Sequence, residues 1–248
     1  MERWLSGLRR RFAKPLKMLK SSAGSNPVLS ASQRIPRVIH QMHHSVSDLV
    51  KTSQATIADT NPHWEYRFWS DDDVYSFIEE NYDKDIFDYW DSYGKKNIRR
   101  WDIARYLLVG KLGGMYVDAD VVFYNNVDQI LDLNNRLIFR GGNGKKNLKN
   151  HFFLSAPEEP FWDYLIEDIR QKWVHDVHKH TGGKKLYYVL ENYRSEKQIN
   201  PDSIQILKDN YVINTDFVAQ PNLKYFNRKL VYIEHLVLGS WKKKKKKK

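Results

Sequence analysis

The sequence predicts an α/β fold with a mixed central sheet. Short apolar and aromatic runs alternate along the chain with longer segments of helical periodicity, a pattern typical of this class. Aromatic residues make up 14% of the 248 residues, and disordered chains are poor in them. The length suits one large domain. We therefore expect most of the chain to fold around one sheet.

The first part of the chain predicts two strands and three helices. The first strand is an apolar run that follows Pro36, and Asn61-Pro62 ends the helix after it. Ser70 is a typical helix N-cap, because the three aspartates at 71–73 then lie favourably in the first turn. In chain order, the predicted elements are a strand over 37–41, a helix over 47–59, a strand over 65–69, a helix from 70 to about 81 and a helix over 83–92.

The second part begins with the clearest helix, over 96–110. Gly113-Gly114 ends it, since glycine commonly terminates helices. The elements predicted after it are strands over 115–117, 121–124, 137–140 and 152–155, a helix over 158–173 that follows Pro157, and a strand over 230–233. The chain between the last two elements is mixed and gives no clear pattern.

The net charge of +11 comes from the two ends of the chain. Residues 1–34 carry eight Lys and Arg and one acid, and residues 242–248 are seven lysines. The remaining 26 basic and 29 acidic residues leave the body over 35–241 near −3. The sequence therefore predicts a basic, disordered or non-native extension over 1–34, a folded domain over 35–241 and a poly-lysine tail over 242–248. We expect no specific nucleic-acid partner.

The N-terminal extension has an unusual coding property. Arg11–Pro15 and Gly24–Pro27 can be encoded by triplets that resemble the anticodon stem-loop and the T-loop of a serine tRNA gene, in the right order and frame. We hypothesise that residues 1 to about 32 are translated tRNA gene sequence. A basic arm for nucleic acid or for weak contact with anionic membranes is the alternative.

Several classes of protein are excluded by composition. There is no Cys, which excludes a disulfide framework, cysteine-ligated zinc, iron–sulfur clusters and thiol catalysis. No apolar run approaches the roughly 20 residues that span a bilayer, and no signal-peptide pattern is present. We therefore expect a cytoplasmic protein, with peripheral attachment to a membrane left open.

The strongest chemical signal is the segment Gly113–Asp120. Asp118 and Asp120 follow a short apolar strand, and in an extended segment residues i and i+2 point the same way. Two hard oxygen donors suit Mn²⁺ or Mg²⁺, which would bridge the diphosphate of a bound nucleotide. A polar turn after a strand is the simpler explanation of Asp-X-Asp by itself.

A second signal lies on the predicted 96–110 helix. Asp102 and Arg105 stand three residues apart and therefore share one face. A surface ion pair worth under about 1 kcal/mol would explain them. However, the helix is otherwise apolar, which favours a functional pair that grips sugar hydroxyls beside the metal.

Five motifs follow one another along the chain. In order they are Ile35–Gln41, Asn61–Trp69, Trp101–Tyr106, Gly113–Asp120, and His235 with Ser240-Trp241. Together they resemble glycosyltransferase family 32, the DXD-containing sugar transferases, which are similar to the glucosylating domains of large clostridial toxins. The resemblance covers about 35–241, which we therefore interpret as a glycosyltransferase domain.

The resemblance implies a GT-A fold with a mixed, mainly parallel sheet flanked by helices. It implies metal-dependent transfer of a hexose from a UDP- or GDP-sugar to a glycan, glycolipid or protein acceptor, with retention of configuration. It names no catalytic nucleophile. By position it assigns Asp118, Asp120 and His235 to the metal, Asp118, Ser240 and Trp241 to the nucleotide, and Asp102 and Arg105 to the donor sugar.

The sequence departs from the family pattern at three places. His43 stands where the family commonly has a base-stacking Trp, Trp101 stands where Ser is usual, and Thr181-Gly182-Gly183 replaces Thr-Gly-Pro.

Two alternative functions stay open: a pseudo-enzyme that binds sugar nucleotides without turnover and, less favoured, a nucleic-acid-binding protein acting through its basic tails. A haloacid-dehalogenase-type phosphohydrolase is disfavoured, since no acidic pair follows on a late strand.

The remaining histidines are weaker candidates. His40 is expected to be a core residue with its hydrogen bonds satisfied. His175, His178 and His180 are spaced like metal ligands, but near a helix end we expect them to be solvated.

Overall fold

The computed structural model describes residues 34–142, 145–207, 211–214 and 231–236. Ser240, Trp241, the poly-lysine tail and nearly all of the predicted N-terminal extension lie outside the described residues. The division of the chain into 1–34, 35–241 and 242–248 therefore stays a prediction.

Strands and helices alternate through the described residues, as the sequence predicts. The elements are β1 (Val38–Met42), α1 (Asp48–Thr60), β2 (Glu65–Trp69), α2 (Asp71–Asn81), α3 (Lys84–Asp91), α4 (Ile98–Leu112), β3 (Gly114–Val117), β4 (Val121–Phe123), β5 (Leu137–Gly142), β6 (Lys145–Ser155), α5 (Phe161–Gln171), α6 (Val177–His180), α7 (Gly183–Glu196), β7 (Ile204–Leu207), β8 (Val212–Asn214) and β9 (Ile233–His235).

The main sheet has six strands in the order β2-β1-β3-β6-β5-β7. β1 is parallel to both β2 and β3, and β5 is parallel to β7, whereas β6 is antiparallel to its neighbours β3 and β5. This arrangement confirms the predicted mixed, mainly parallel sheet. A smaller sheet of three strands has the order β4-β9-β8.

Both faces of the main sheet are buried at its central strands β1 and β3. Successive side chains of a strand point to opposite faces, and β3 follows this rule. Tyr116 packs on one side with residues of α4 and α5, whereas Met115 and Val117 pack on the other side with Ile39 of β1. The two apolar clusters hold β3, and with it the start of the Asp118–Asp120 segment, in a fixed position.

The double glycine connects α4 to β3 at a crowded point. Gly113 and Gly114 have φ values of 68° and 93°, in a region that favours glycine. A Cβ atom on Gly113 would lie 2.7 Å from the Pro157 backbone nitrogen, and one on Gly114 would lie 2.6 Å from the Val38 carbonyl oxygen. Glycine at both positions lets the chain turn and place β3 directly beside β1.

Two local predictions are confirmed by hydrogen bonds. Ser70 and Asp73 form a reciprocal capping box at the start of α2. His40 is fully buried, and its ring contacts the Gly113 carbonyl at 3.0 Å and accepts a hydrogen bond from Trp69 Nε1 at 3.1 Å.

Some predicted element boundaries differ from those in the structure, and some elements are not predicted. α5 begins at Phe161 rather than at 158, because Pro160 takes the N-cap position and Glu158 has a φ of 54°. The last strand is 233–235 rather than 230–233. The helix α7 is not among the predicted elements, although its buried positions follow a helical spacing: Leu186, Val189, Leu190 and Tyr193. No helix in the described part of the chain is long and apolar enough to cross a membrane.

Candidate active site

Asp118 and Asp120 lie in the tight connection between β3 and β4, where the chain passes from the main sheet to the smaller one. The segment is a turn and not the extended run that the sequence suggested. The two carboxylates still converge, with one oxygen of each within 4.8 Å of the other. The Gln41 side chain supports the turn from β1 by donating a hydrogen bond to the Asp118 carbonyl at 3.0 Å.

His235 completes a group of three side chains at this turn. β9 pairs with β4 so that His235 lies opposite Val121, and the Leu236 amide donates to the Asp120 carbonyl at 2.8 Å. His235 Nε2 is 3.1 Å from Asp120 Oδ1 and 3.9 Å from Asp118 Oδ2. One donor atom from each of the three residues lies within 4.8 Å of the others. Two carboxylates and one imidazole at this spacing suit a divalent cation of the Mn²⁺ type.

Two side chains that contact the same carboxylate oxygen orient Asp118. Arg105 and Tyr116 each contact Oδ1 at 2.9 Å, whereas Oδ2 is the oxygen nearer to His235. Burial raises the pKa of Tyr116 well above its usual value, so the phenol stays protonated and donates a hydrogen bond to the carboxylate. The neighbours of Asp118 therefore turn Oδ2 toward the His235 side.

Arg105 joins the Asp118 turn to α4. Its guanidinium donates to Asp118 and to the Asn150 carbonyl, each at 2.9 Å, and lies 4.9 Å from the centre of the Tyr116 ring. Burial opposes its charge, but Asp118, Tyr116 and Asp102 outweigh burial and raise the pKa of Arg105. The arginine therefore stays charged within the protein.

Asp102 is buried beside Arg105. Its Oδ1 accepts a hydrogen bond from Asn150 Nδ2 at 2.9 Å and lies 3.4 Å from Arg105 Nη2. Its Oδ2 accepts a hydrogen bond from Thr181 Oγ1 at 2.8 Å. Burial raises the pKa of Asp102 above its usual value, although Arg105 and Thr181 oppose that shift. The pair is not the surface ion pair that would have made it uninformative.

His151 supports the group from β6. Its ring stacks on His235 with centroids 4.0 Å apart, and its carbonyl accepts a hydrogen bond from the Asp118 amide at 3.1 Å. Burial, and then the charges of His235 and Arg140, lower the pKa of His151 well below its usual value. A neutral His151 therefore packs against the imidazole of the three-residue group.

Five of the seven site residues predicted from the sequence lie together: Asp102, Arg105, Asp118, Asp120 and His235. Ser240 and Trp241 lie outside the described residues. The assigned roles of all seven stay predictions. Among the residues that contact the group, the sequence reading missed Tyr116, Asn150 and His151. It noted Thr181 only as a place where the family pattern changes.

The histidine cluster is only partly as expected. His175 and His178 are exposed, but His180 is buried at the end of α6. His180 Nδ1 accepts a hydrogen bond from Arg99 Nε at 3.2 Å, and its ring packs 4.6 Å from that of Trp173. The expectation that His180 is solvated is therefore wrong, because α6 turns it inward against α4.

A protein-family model described as a glycosyltransferase sugar-binding region containing a DXD motif matches residues 47–137. The matched range runs from the N-cap of α1 to the first residue of β5. It contains four of the predicted site residues: Asp102, Arg105, Asp118 and Asp120.

Two curated proteins show related sequences. The chain is 25% identical over 214 residues to the uncharacterized glycosyltransferase L373 of Acanthamoeba polyphaga mimivirus, a match that covers 84% of each protein. It is 26% identical over 204 residues to inositol phosphoceramide mannosyltransferase 2 of Schizosaccharomyces pombe, which covers 78% of this chain and 57% of the fungal protein. The chain therefore spans little more than half the length of this fungal relative.

Solved structures show a related fold. The structure of PaToxG glycosyltransferase aligns with a TM-score of 0.53 at 15% identity, over 69% of this chain and 73% of that one. At this level of identity, the likeness shows the fold alone. It confirms the predicted GT-A class.

Proposed function

Because this chain belongs to the DXD-containing glycosyltransferases, we propose that it transfers a hexose from a UDP- or GDP-sugar to a hydroxyl group of a glycan, glycolipid or protein acceptor. The proposed transfer depends on a divalent cation and retains the anomeric configuration. The observation that carries the proposal is the convergence of Asp118, Asp120 and His235 beside the buried pair Asp102 and Arg105.

The donor set at the Asp118–Asp120 turn fits a divalent cation. Two carboxylates and an imidazole suit Mn²⁺ well and Mg²⁺ acceptably, since both ions take oxygen ligands and Mn²⁺ also accepts imidazole. Asp118, Asp120 and His235 would hold the ion. The chemistry that such an ion supplies is neutralisation of the charge that develops on the leaving diphosphate.

Asp102 and Arg105 would hold the donor sugar. A carboxylate can accept about four hydrogen bonds, and Asp102 keeps capacity beyond Asn150, Thr181 and Arg105. Both side chains are fixed by buried contacts, so little entropy is lost when they bind sugar hydroxyls. We assign the contact with the nucleotide to Asp118, and closure over the diphosphate to Ser240 and Trp241 on the basis of the family motif.

The names of the fungal relatives suggest where to begin the search for substrates. One of them is named as an inositol phosphoceramide mannosyltransferase. Mannose is therefore the first donor sugar to test, and a lipid that carries phosphoinositol is the first acceptor.

A donor screen tests the proposal without knowledge of the acceptor. We expect slow, Mn²⁺-dependent hydrolysis of one member of a panel that includes GDP-mannose, UDP-glucose and UDP-galactose, with the activity lost in excess chelator. Binding of a sugar nucleotide without turnover would favour the pseudo-enzyme. If the protein neither binds nor hydrolyses any member of the panel, the proposed function is refuted.

A further inference from the structure

An exposed aromatic surface lies near the N-terminal end of α4. Trp173, just after α5, has a relative exposure of 63%, the highest among the large apolar side chains that the structure describes as exposed. Its ring lies nearly parallel to that of Tyr93, with centroids 6.1 Å apart and an interplanar angle of 18°. Tyr and Trp are enriched at interfaces, so this stacked pair is a candidate binding surface.

Arg99 fixes the loop that carries Trp173. Its guanidinium lies 4.8 Å from the centre of the Trp173 ring and donates to the carbonyls of Val174 and His175. Burial, followed by the charges of Arg99 and Lys185, lowers the pKa of His180 to about 4. His180 is therefore neutral near pH 7 and accepts a hydrogen bond from Arg99 Nε. These contacts preorganise Trp173 before any ligand binds.

Two lysines line a cleft that begins at Tyr93, the residue whose ring stacks with that of Trp173. Lys95 and Lys96 are exposed, and residues 93–98 line an open cleft of about 630 Å³. The body of the protein has a small negative net charge, so this local concentration of cations is not a general property of its surface. An exposed aromatic ring and two lysines offer a flat apolar contact next to an anion site.

The surface is linked to the predicted donor site by two connections. Thr181 directly follows His180, and its hydroxyl donates to Asp102. In addition, Arg99, Asp102 and Arg105 stand at i, i+3 and i+6 on α4, which places Arg99 and Arg105 about 9 Å apart along the helix axis. A ligand on this surface would therefore lie at the end of α4 that carries Asp102, which is about one helical turn from Arg99.

We propose that Tyr93, Lys95, Lys96, Arg99 and Trp173, here called the aromatic–cationic platform, form the acceptor-binding subsite. The acceptor that this platform fits is a polyol ring bearing a phosphate group. The C–H face of the ring packs on Trp173, and the lysines contact the phosphate. This assignment rests on the proposed transferase function, because it interprets the platform as the neighbour of the donor sugar.

Calorimetric binding of glycerophosphoinositol to the full chain tests the platform. We expect a Kd below about 1 mM for the wild-type protein. Trp173→Ala and the double variant Lys95→Ala/Lys96→Ala should each weaken binding at least tenfold, and Trp173→Phe should recover part of the loss. Myo-inositol, which lacks the phosphate, should bind more weakly and should not respond to the lysine double variant.

Matched controls use exposed residues on other elements. Tyr188→Ala removes another exposed aromatic side chain, and Lys51→Ala/Lys197→Ala removes the same charge as the lysine variant. Neither control should change the affinity for glycerophosphoinositol. Thermal unfolding of each variant separates a loss of ligand contacts from a loss of fold.

Three results would overturn the assignment: no binding of glycerophosphoinositol by the wild type, equal affinity in the platform variants, or loss of affinity for anionic phosphatidylglycerol vesicles in the platform variants while the soluble headgroup does not bind. The last result would make the platform a membrane contact instead. Donor hydrolysis with Mn²⁺, measured on the same preparations, separates this failure from that of the proposed function. If the wild type hydrolyses the donor but the platform variants keep their headgroup affinity, only the acceptor assignment is wrong.

Discussion

The predicted site has two regions that differ in position. One is the turn and the strand of the smaller sheet that carry Asp118, Asp120 and His235, and the other is the buried helix α4 that carries Asp102 and Arg105. Their exposure differs accordingly. The side chains of Asp118, Asp120 and His235 have relative exposures of 26%, 15% and 13%, against 4% and 7% for Asp102 and Arg105. The ion pair between Arg105 and Asp118 joins the two regions.

This difference in exposure predicts different effects of substitutions in the two regions. The Asp118–Asp120 turn remains partly open, which suits groups that exchange a cation and a nucleotide in each cycle. The α4 pair is enclosed by Asn150 and Thr181, so its geometry is part of the fold. We therefore expect substitutions at the turn to change activity with little effect on stability, and substitutions in the α4 pair to change both.

The largest effect on activity is expected at Asp120. Asp120→Ala should lower Mn²⁺-dependent donor turnover by about a thousandfold, or about 4 kcal/mol, because one carboxylate ligand is lost. The free energy of unfolding should fall by less than about 1 kcal/mol, since the side chain is partly exposed. Steady-state kinetics and urea unfolding measure the two quantities.

The control for this variant is Asp59→Ala, which removes an exposed carboxylate on α1. It should leave turnover and stability unchanged. Full turnover in Asp120→Ala, or full turnover of the wild type in excess chelator, would refute the metal assignment.

The largest effect on stability is expected at Arg105. Arg105→Met leaves Asp102 buried without its ionic partner, and breaking a buried pair in this way costs about 3–5 kcal/mol. Arg67→Met removes the partly exposed partner of Glu65 and should cost less than about 1 kcal/mol. Urea unfolding of both variants makes the comparison, and equal small losses would show that the α4 pair is not structural.

A smaller effect on activity is expected at Asp102. Asp102→Asn keeps the shape of the side chain but removes its charge, and it should reduce donor turnover at least tenfold, about 1.4 kcal/mol of transition-state stabilisation. The affinity for the nucleoside diphosphate should stay the same. If that affinity falls instead, Asp102 acts on the nucleotide or on the fold rather than on the sugar.

The smallest effect is expected from removal of both basic ends. A chain limited to 33–243, which keeps the approach to Ile35 and two lysines after Trp241, should retain donor hydrolysis and thermal stability within error. Its binding to anionic vesicles should collapse, because that affinity comes from charges at the two ends. Loss of hydrolysis would show that the N-terminal segment is part of the enzyme.

Strong local signals predict the strands and helices that hold the site. The N-cap at Ser70, the double glycine after α4 and the apolar run before Asp118 each have one dominant physical explanation, and the structure agrees with it. The buried positions of α7 also follow a helical spacing, so this helix has a local signal in the sequence.

The contacts that complete the site are harder to predict. Asn150 and Thr181 are 48 and 79 residues from Asp102 in sequence, and no local pattern indicates that both hydrogen-bond to it. The burial of His180 likewise depends on how α6 packs against α4. The order of strands in the main sheet, and not periodicity, brings β6 and its Asn150 beside the Asp118 turn.

Direct measurement of Mn²⁺ binding tests the central claim. Electron paramagnetic resonance detects free Mn²⁺, and we expect its signal to fall when the wild-type protein is added together with a nucleoside diphosphate. The decrease in excess of that given by the nucleotide alone should persist with Asp59→Ala and disappear with Asp120→Ala. Equal Mn²⁺ binding by Asp120→Ala and the wild type would contradict a cation site at Asp118, Asp120 and His235.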